Sequence, residues 1–134
     1  MKKTYRILLP VFALLIFILT GCSTSAYETV CDYHVKAFVT QVTGPTTATV
    51  NQEIDLAVSL GVVNSCGLFN NFTETTSGNT TTINIEARYY GCYCTQTPQI
   101  RNTIYKFKRA TAGTYILQFW LTDTSCLTYT ITVT

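Results

Sequence analysis

The chain ends on a run in which Leu127, Tyr129, Ile131 and Val133 alternate with Thr128, Thr130, Thr132 and Thr134. Only an extended strand sends successive side chains to opposite faces, so this pattern predicts a strand with one buried and one solvated face. The threonines suit the outer face, because β-branched side chains favour the pleated conformation. The same alternation recurs upstream. In Glu53 to Val63, Ile54, Leu56, Val58 and Leu60 oppose Asp55, Ala57 and Ser59. In Thr80 to Tyr90, Ile83, Ile85, Ala87 and Tyr89 oppose Asn84, Glu86 and Arg88. Val35 to Val42, Leu68 to Thr73, Ile100 to Arg109 and Gly113 to Thr122 complete the predicted set. Turn chemistry separates them at Thr43-Gly44-Pro45, Asn64-Ser65-Cys66-Gly67, Ser77-Gly78-Asn79 and Thr122-Asp123-Thr124-Ser125. No segment shows a helical period, so the fold class is all-β.

About seven short strands with turns between them resemble an immunoglobulin-like antiparallel β-sandwich. Gly113-Thr114-Tyr115, opening the sixth predicted strand, resembles the tyrosine corner of that class. The resemblance implies that the Tyr115 hydroxyl ties back to the backbone of the preceding loop. The third predicted strand lacks the core tryptophan of antibody domains, which makes the likeness one of architecture. The sandwich is expected over residues 31–134.

The N-terminus is organised differently. Lys2, Lys3 and Arg6 form a basic head, Ile7 to Leu19 is apolar save for Pro10, and Thr20-Gly21-Cys22 follows. This reads as a cleaved signal peptide over residues 1–21. The apolar part is shorter than the roughly 20 residues that span a bilayer. Leu19-Thr20-Gly21-Cys22 resembles the lipobox of bacterial lipoproteins. The resemblance implies that Cys22 becomes the first mature residue, carries a thioether-linked diacylglycerol and a further acyl chain such as palmitate, and begins a tether over residues 22–30. Ser23 after the cysteine implies the outer membrane, and the missing acidic run implies its periplasmic face. Loss of the signal takes Lys2, Lys3 and Arg6 away, leaving 6 − 7 = −1. No basic stripe remains, so nucleic-acid binding is not expected.

With Cys22 acylated, Cys31, Cys66, Cys92, Cys94 and Cys126 remain, an odd set in an oxidising compartment. In the strand order of an immunoglobulin-like sandwich they all fall at one pole. That order implies Cys66 bonded to Cys92 or Cys94, and Cys31 bonded to Cys126. A zinc site built from Cys66, Cys92, Cys94 and Cys126 is the competing reading, and the expectation is no metal and no cofactor.

Catalysis is not expected. His34 is the only histidine, no Gly-x-Ser-x-Gly elbow occurs, and the carboxylates are scattered over outer positions. The candidate binding face is Ile116, Gln118 and Trp120, which alternate with the inward set Tyr115, Leu117, Phe119 and Leu121. A tryptophan among amide and hydroxyl groups suits a protein interface or a sugar ring; a loop or the N-terminal segment covering it is the alternative. Tyr89, Tyr90 and Tyr93 around the Cys92–Cys94 loop form a second aromatic group, able to pack on the bridges or to touch lipid headgroups. The expected role is that of a lipid-anchored, non-catalytic envelope component, bound to the membrane by its lipid and to an envelope protein or a glycan by its aromatic face.

Overall fold

The computed structural model describes residues 31–134. The predicted signal peptide, the lipidation site Cys22 and the tether lie outside the described residues. Eight strands follow in order: β1 (Asp32–Thr43), β2 (Thr47–Ala48), β3 (Ile54–Val62), β4 (Gly67–Ser77), β5 (Thr80–Tyr90), β6 (Gln99–Phe107), β7 (Gly113–Thr122) and β8 (Ser125–Val133). No helix occurs among the described residues. The expected all-β sandwich is the fold. The predicted strands all form, and β2 is a two-residue addition that pairs with β8 in parallel.

Two layers face each other. One runs β2-β8-β7-β5, with β4 on the far edge of β5. The other holds β3 and β6, paired antiparallel from Ile54↔Phe107 to Val62↔Gln99. β1 belongs to both. Its first half pairs with β5 over Asp32↔Tyr90 to Ala37↔Ile85. Its second half pairs with β3 over Phe38↔Gly61 to Thr43↔Ala57, with a bulge between Val39 and Gln41. A bulge bends and twists a strand, which carries β1 from one layer to the other.

The inward residues read from the alternation form the core. Leu56, Val58, Leu60 and Val62 of β3 are buried, as are Ile83, Ile85, Ala87 and Tyr89 of β5. Tyr115, Leu117 and Phe119 of β7 and Ile131 and Val133 of β8 join them. Fully burying a side chain of this size stabilises by about 1.5–3 kcal/mol. Aromatic edges cross the core: the Phe72 and Tyr105 rings lie 5.2 Å apart at 83°, and Tyr105 and Phe119 lie 5.6 Å apart at 85°. Leu121 departs from expectation. It is exposed, because a register irregularity between Trp120 and Thr122 breaks the alternation at the end of β7.

Tyr115 behaves as the tyrosine-corner resemblance implies. Its hydroxyl donates to the Thr111 carbonyl at 2.9 Å and accepts from the Thr111 hydroxyl at 2.6 Å. The strand neighbours, however, are not those of an antiparallel immunoglobulin domain. β5 and β7 run parallel, from Thr80↔Ile116 to Ile83↔Phe119. β4 pairs with β5 from Gly67↔Tyr89 to Ser77↔Thr80, with a bulge between Phe69 and Asn71, and so takes one edge of β5, whose other edge lies beside β7.

Candidate functional site

β4 occupies one edge of β5 throughout, so two strands share the other edge. β7 bonds it over Thr80 to Ile83, and the first half of β1 bonds it over Ile85 to Tyr90. β1 and β7 therefore diverge opposite Asn84. On the solvent side of that junction stand Lys36 from β1, Asn84 and Glu86 from β5, and Trp120 from β7. The Lys36 ammonium sits 4.1 Å from the centroid of the Trp120 ring, a cation–π contact. Beside it, a depression of about 250 Å³ is lined by Lys36, Thr73, Asn84, Ile85 and Glu86.

The junction continues into a charged network. Glu86 Oε1 accepts from His34 Nδ1 at 2.8 Å and from Asn70 Nδ2 at 2.6 Å. These two hydrogen bonds hold the Glu86 carboxyl below its ordinary pKa, His34 contributing first. Because a carboxylate only accepts, Nδ1 of His34 is the protonated nitrogen. Asp32 receives Arg88 bidentately, at 2.8 and 2.6 Å, and is likewise lowered. Register sets these pairs on the diagonal: His34, opposite Arg88, bonds Glu86, and Asp32, opposite Tyr90, bonds Arg88. Cross-strand neighbours on one face are close enough for opposite charges to pair.

Ile116, Gln118 and Trp120 do lie on one face, and each is half-buried. It is β1, through Lys36, that covers one face of Trp120. The alternation of β1 marks Asp32, His34 and Lys36 as one face, but the sequence holds no sign of which strand they sit beside. His34 donates to Glu86, which Asn70 also reaches, and no hydroxyl or thiol is among its hydrogen-bond partners. Among the described residues, no three of His, Cys, Asp and Glu gather closely enough to hold a metal ion.

The cysteines pair as Cys31–Cys92 and Cys66–Cys94, and Cys126 is free and exposed. The expected bond between Cys66 and one of Cys92 and Cys94 forms. The expected Cys31–Cys126 bond does not. The reason is β1: its first half pairs with β5, so Cys31 arrives beside Gly91, whose N–H donates to the Cys31 carbonyl at 2.8 Å. Cys92 is then the nearest partner. Cys126 lies instead opposite Trp120 in β8, beyond the last β5–β7 pair. With Cys66, Cys92 and Cys94 in bridges, their thiolates are not available to a zinc ion, which removes the four-cysteine reading.

The chain matches the ORF11 beta-sandwich domain family over residues 56–133. The chain belongs to that family. No curated protein and no solved structure matches it. The match to the ORF11 beta-sandwich domain begins inside β3 and closes with β8. It therefore holds Asn84, Glu86, Gln118 and Trp120, while Lys36, His34 and Asp32 come from β1, ahead of the matched region. The site joins the ORF11 domain to the strand that precedes it.

Proposed function

We propose that this ORF11 beta-sandwich protein is a non-catalytic binding module of the bacterial cell envelope, held by lipid at Cys22 on the periplasmic face of the outer membrane. The binding surface is the junction of β1, β5 and β7, and its ligand is an envelope protein. The observation that carries this is the Lys36–Trp120 contact beside the Glu86 depression. It puts an aromatic ring, an amide and paired charges of both signs on one solvent-facing surface, the composition of a protein interface centre with a polar rim. His34 is engaged with the Glu86 carboxylate, as suits a binding surface rather than general-base catalysis.

A photo-cross-linker at Gln118 in intact cells tests the surface. It is expected to capture one stoichiometric envelope component, and Trp120→Ala is expected to abolish capture while the protein stays folded. Retained capture by that variant, or a turnover activity lost on His34→Ala, would overturn the reading. The anchor has its own test. Alkylation of the denatured, unreduced protein is expected to mark Cys126 alone, because Cys22 is acylated; a second adduct at Cys22 removes the anchor. The second reading is a small carbohydrate-binding module, favoured by Gln118 and Asn84 beside the aromatic ring. Trp120 is the only tryptophan of the chain, so a fluorescence change at that residue on a glycan array would favour the sugar.

A further inference from the structure

The exposed apolar side chains are not spread evenly. Tyr33, Val63, Leu68, Tyr90, Tyr93 and Ile100 are exposed where β1, β4 and β6 begin and β3 and β5 end. This is the disulfide pole. The opposite pole, built from residues 44–53, 77–80 and 108–113, is polar; its one large exposed apolar residue is Val50, at 37%. Tyr93 stands furthest out, 101% exposed. It is flanked by Cys92, bridged to Cys31, and Cys94, bridged to Cys66. The loop is fixed further by Ser65 N–H to the Thr95 carbonyl at 3.1 Å and Thr95 N–H to the Ser65 hydroxyl at 2.9 Å. Two cross-links beside a bare tyrosine fix the backbone that carries it, so less loop ordering is left to be done when that ring makes a contact.

We infer that this pole is a lipid-contacting surface on which the domain beds against the bilayer interface, with Tyr93 as its deepest residue. Three observations select lipid as the occupant. First, the chain enters the fold here, at Cys31, and the segment before it holds the apolar run Ile7 to Leu19 and Cys22. If the anchor proposed above is at Cys22, residues 23–30 span at most about 28 Å, so this pole faces the membrane at close range. Second, the tyrosines carry an apolar ring and a polar tip, the chemistry enriched at membrane–water boundaries. Third, the charged groups nearest the surface are already engaged: Asp32 with Arg88, Glu86 with His34, and the Arg101 guanidinium with the carbonyls of Ser65 and Gly67. Approach to the headgroups then leaves none of these groups without a hydrogen-bond partner, and the surface has no basic cluster that would make it depend on anionic lipid.

The consequence is orientation. A domain bedded on this pole stands with its strands rising from the bilayer. The junction of Lys36, Glu86 and Trp120 is then turned sideways, open to a partner within the envelope.

The test uses the full chain in vesicles of phosphatidylethanolamine and phosphatidylglycerol with brominated acyl chains, which quench nearby tryptophan. Trp120 is retained, and a second tryptophan is added by Tyr93→Trp or, at the opposite pole, by Ser77→Trp. The fluorescence added at 93 is expected to be quenched and that added at 77 to be spared. No quenching at 93, equal quenching at both, or failure of the chain to float with the vesicles overturns the inference. So does protection of position 93 by a cross-linked protein partner. Cys22→Ala separates this from the anchor. If that variant still floats with position 93 quenched, the anchor reading fails and the lipid-contacting pole stands. If it is released while the lipidated chain shows no quenching at 93, the anchor stands and this inference fails.

Discussion

Gly67 opens β4 with no room for a side chain. A methyl there would meet Val62 Cβ at 2.6 Å and the Tyr89 ring at 2.8 Å, and both neighbours are buried. Gly61 contrasts with it, because what covers Gly61 is the Phe38 ring, which is exposed on its far side and free to swing outward. Gly67→Ala is therefore expected to destabilise by about 1–3 kcal/mol, the usual cost of overpacking a filled core, and Gly61→Ala by distinctly less. Thermal midpoints of the two variants check this, and an equal loss would mean that Phe38 is as firmly fixed as Tyr89. Tyr115 offers a second residue-scale test. Tyr115→Phe keeps the ring and removes the hydroxyl that joins β7 to the Thr111 loop, so about 1 kcal/mol should be lost. A denaturant midpoint unchanged from the parent would show the corner to be ornamental.

At the scale of strands, period two was legible and partnership was not. Leu127 to Thr134 and Thr80 to Tyr90 announce their faces residue by residue, and those faces are the observed ones. Alternation identifies which side chains share a face; it carries no information about the neighbouring strand. β1 shows the limit. Its outward set, Asp32, His34 and Lys36, reads as an ordinary solvated face until β5 is placed beside it, and then it becomes half of the candidate site. The same blindness misassigned one disulfide. Borrowing the immunoglobulin strand order put Cys31 near Cys126, whereas the crossing of β1 between layers put it near Cys92. The Trp120 face was legible from the alternation of β7, but its Lys36 cover was not, since that contact depends on two strands far apart in sequence diverging along one edge. Cross-links at separations of 61 and 28 residues constrain the unfolded chain by roughly 4 kcal/mol each in the loop-entropy account. Removing the pair Cys66→Ala and Cys94→Ala should therefore lower the denaturant midpoint steeply. Cys126→Ser should leave it nearly unchanged, because that thiol is exposed and bonded to nothing. Equal losses would place Cys126 in a bridge.

Across the whole molecule, the outer surface is held by carboxylates whose partners keep them ionised. Arg88 lowers Asp32, Lys106 lowers Glu53, and His34 with Asn70 lowers Glu86. The Lys106 ammonium reaches Glu53 at 2.7 Å and Asp55 at 3.5 Å, joining β6 to β3 and to the segment before it. The three lowered carboxyls bind protons less readily folded than unfolded. Between the folded pKa values and the ordinary ones, the unfolded chain holds more protons, so stability rises with pH there. The stabilisation is complete above the ordinary carboxylate range of about pH 4 and is lost as pH falls through the folded values. All three groups are solvent-exposed, so the effect is modest and shrinks in salt. Thermal midpoints measured against pH should stay level near neutrality and fall on the acid side, more gently at high ionic strength. The double variant Arg88→Gln, Lys106→Gln should flatten that fall, because Asp32 and Glu53 then lose the partners that lower them most, while Glu86 keeps its share. An acid slope unchanged in the double variant would mean that the loss of stability arises elsewhere than in these pairs, and the surface charges would be neutral to the fold.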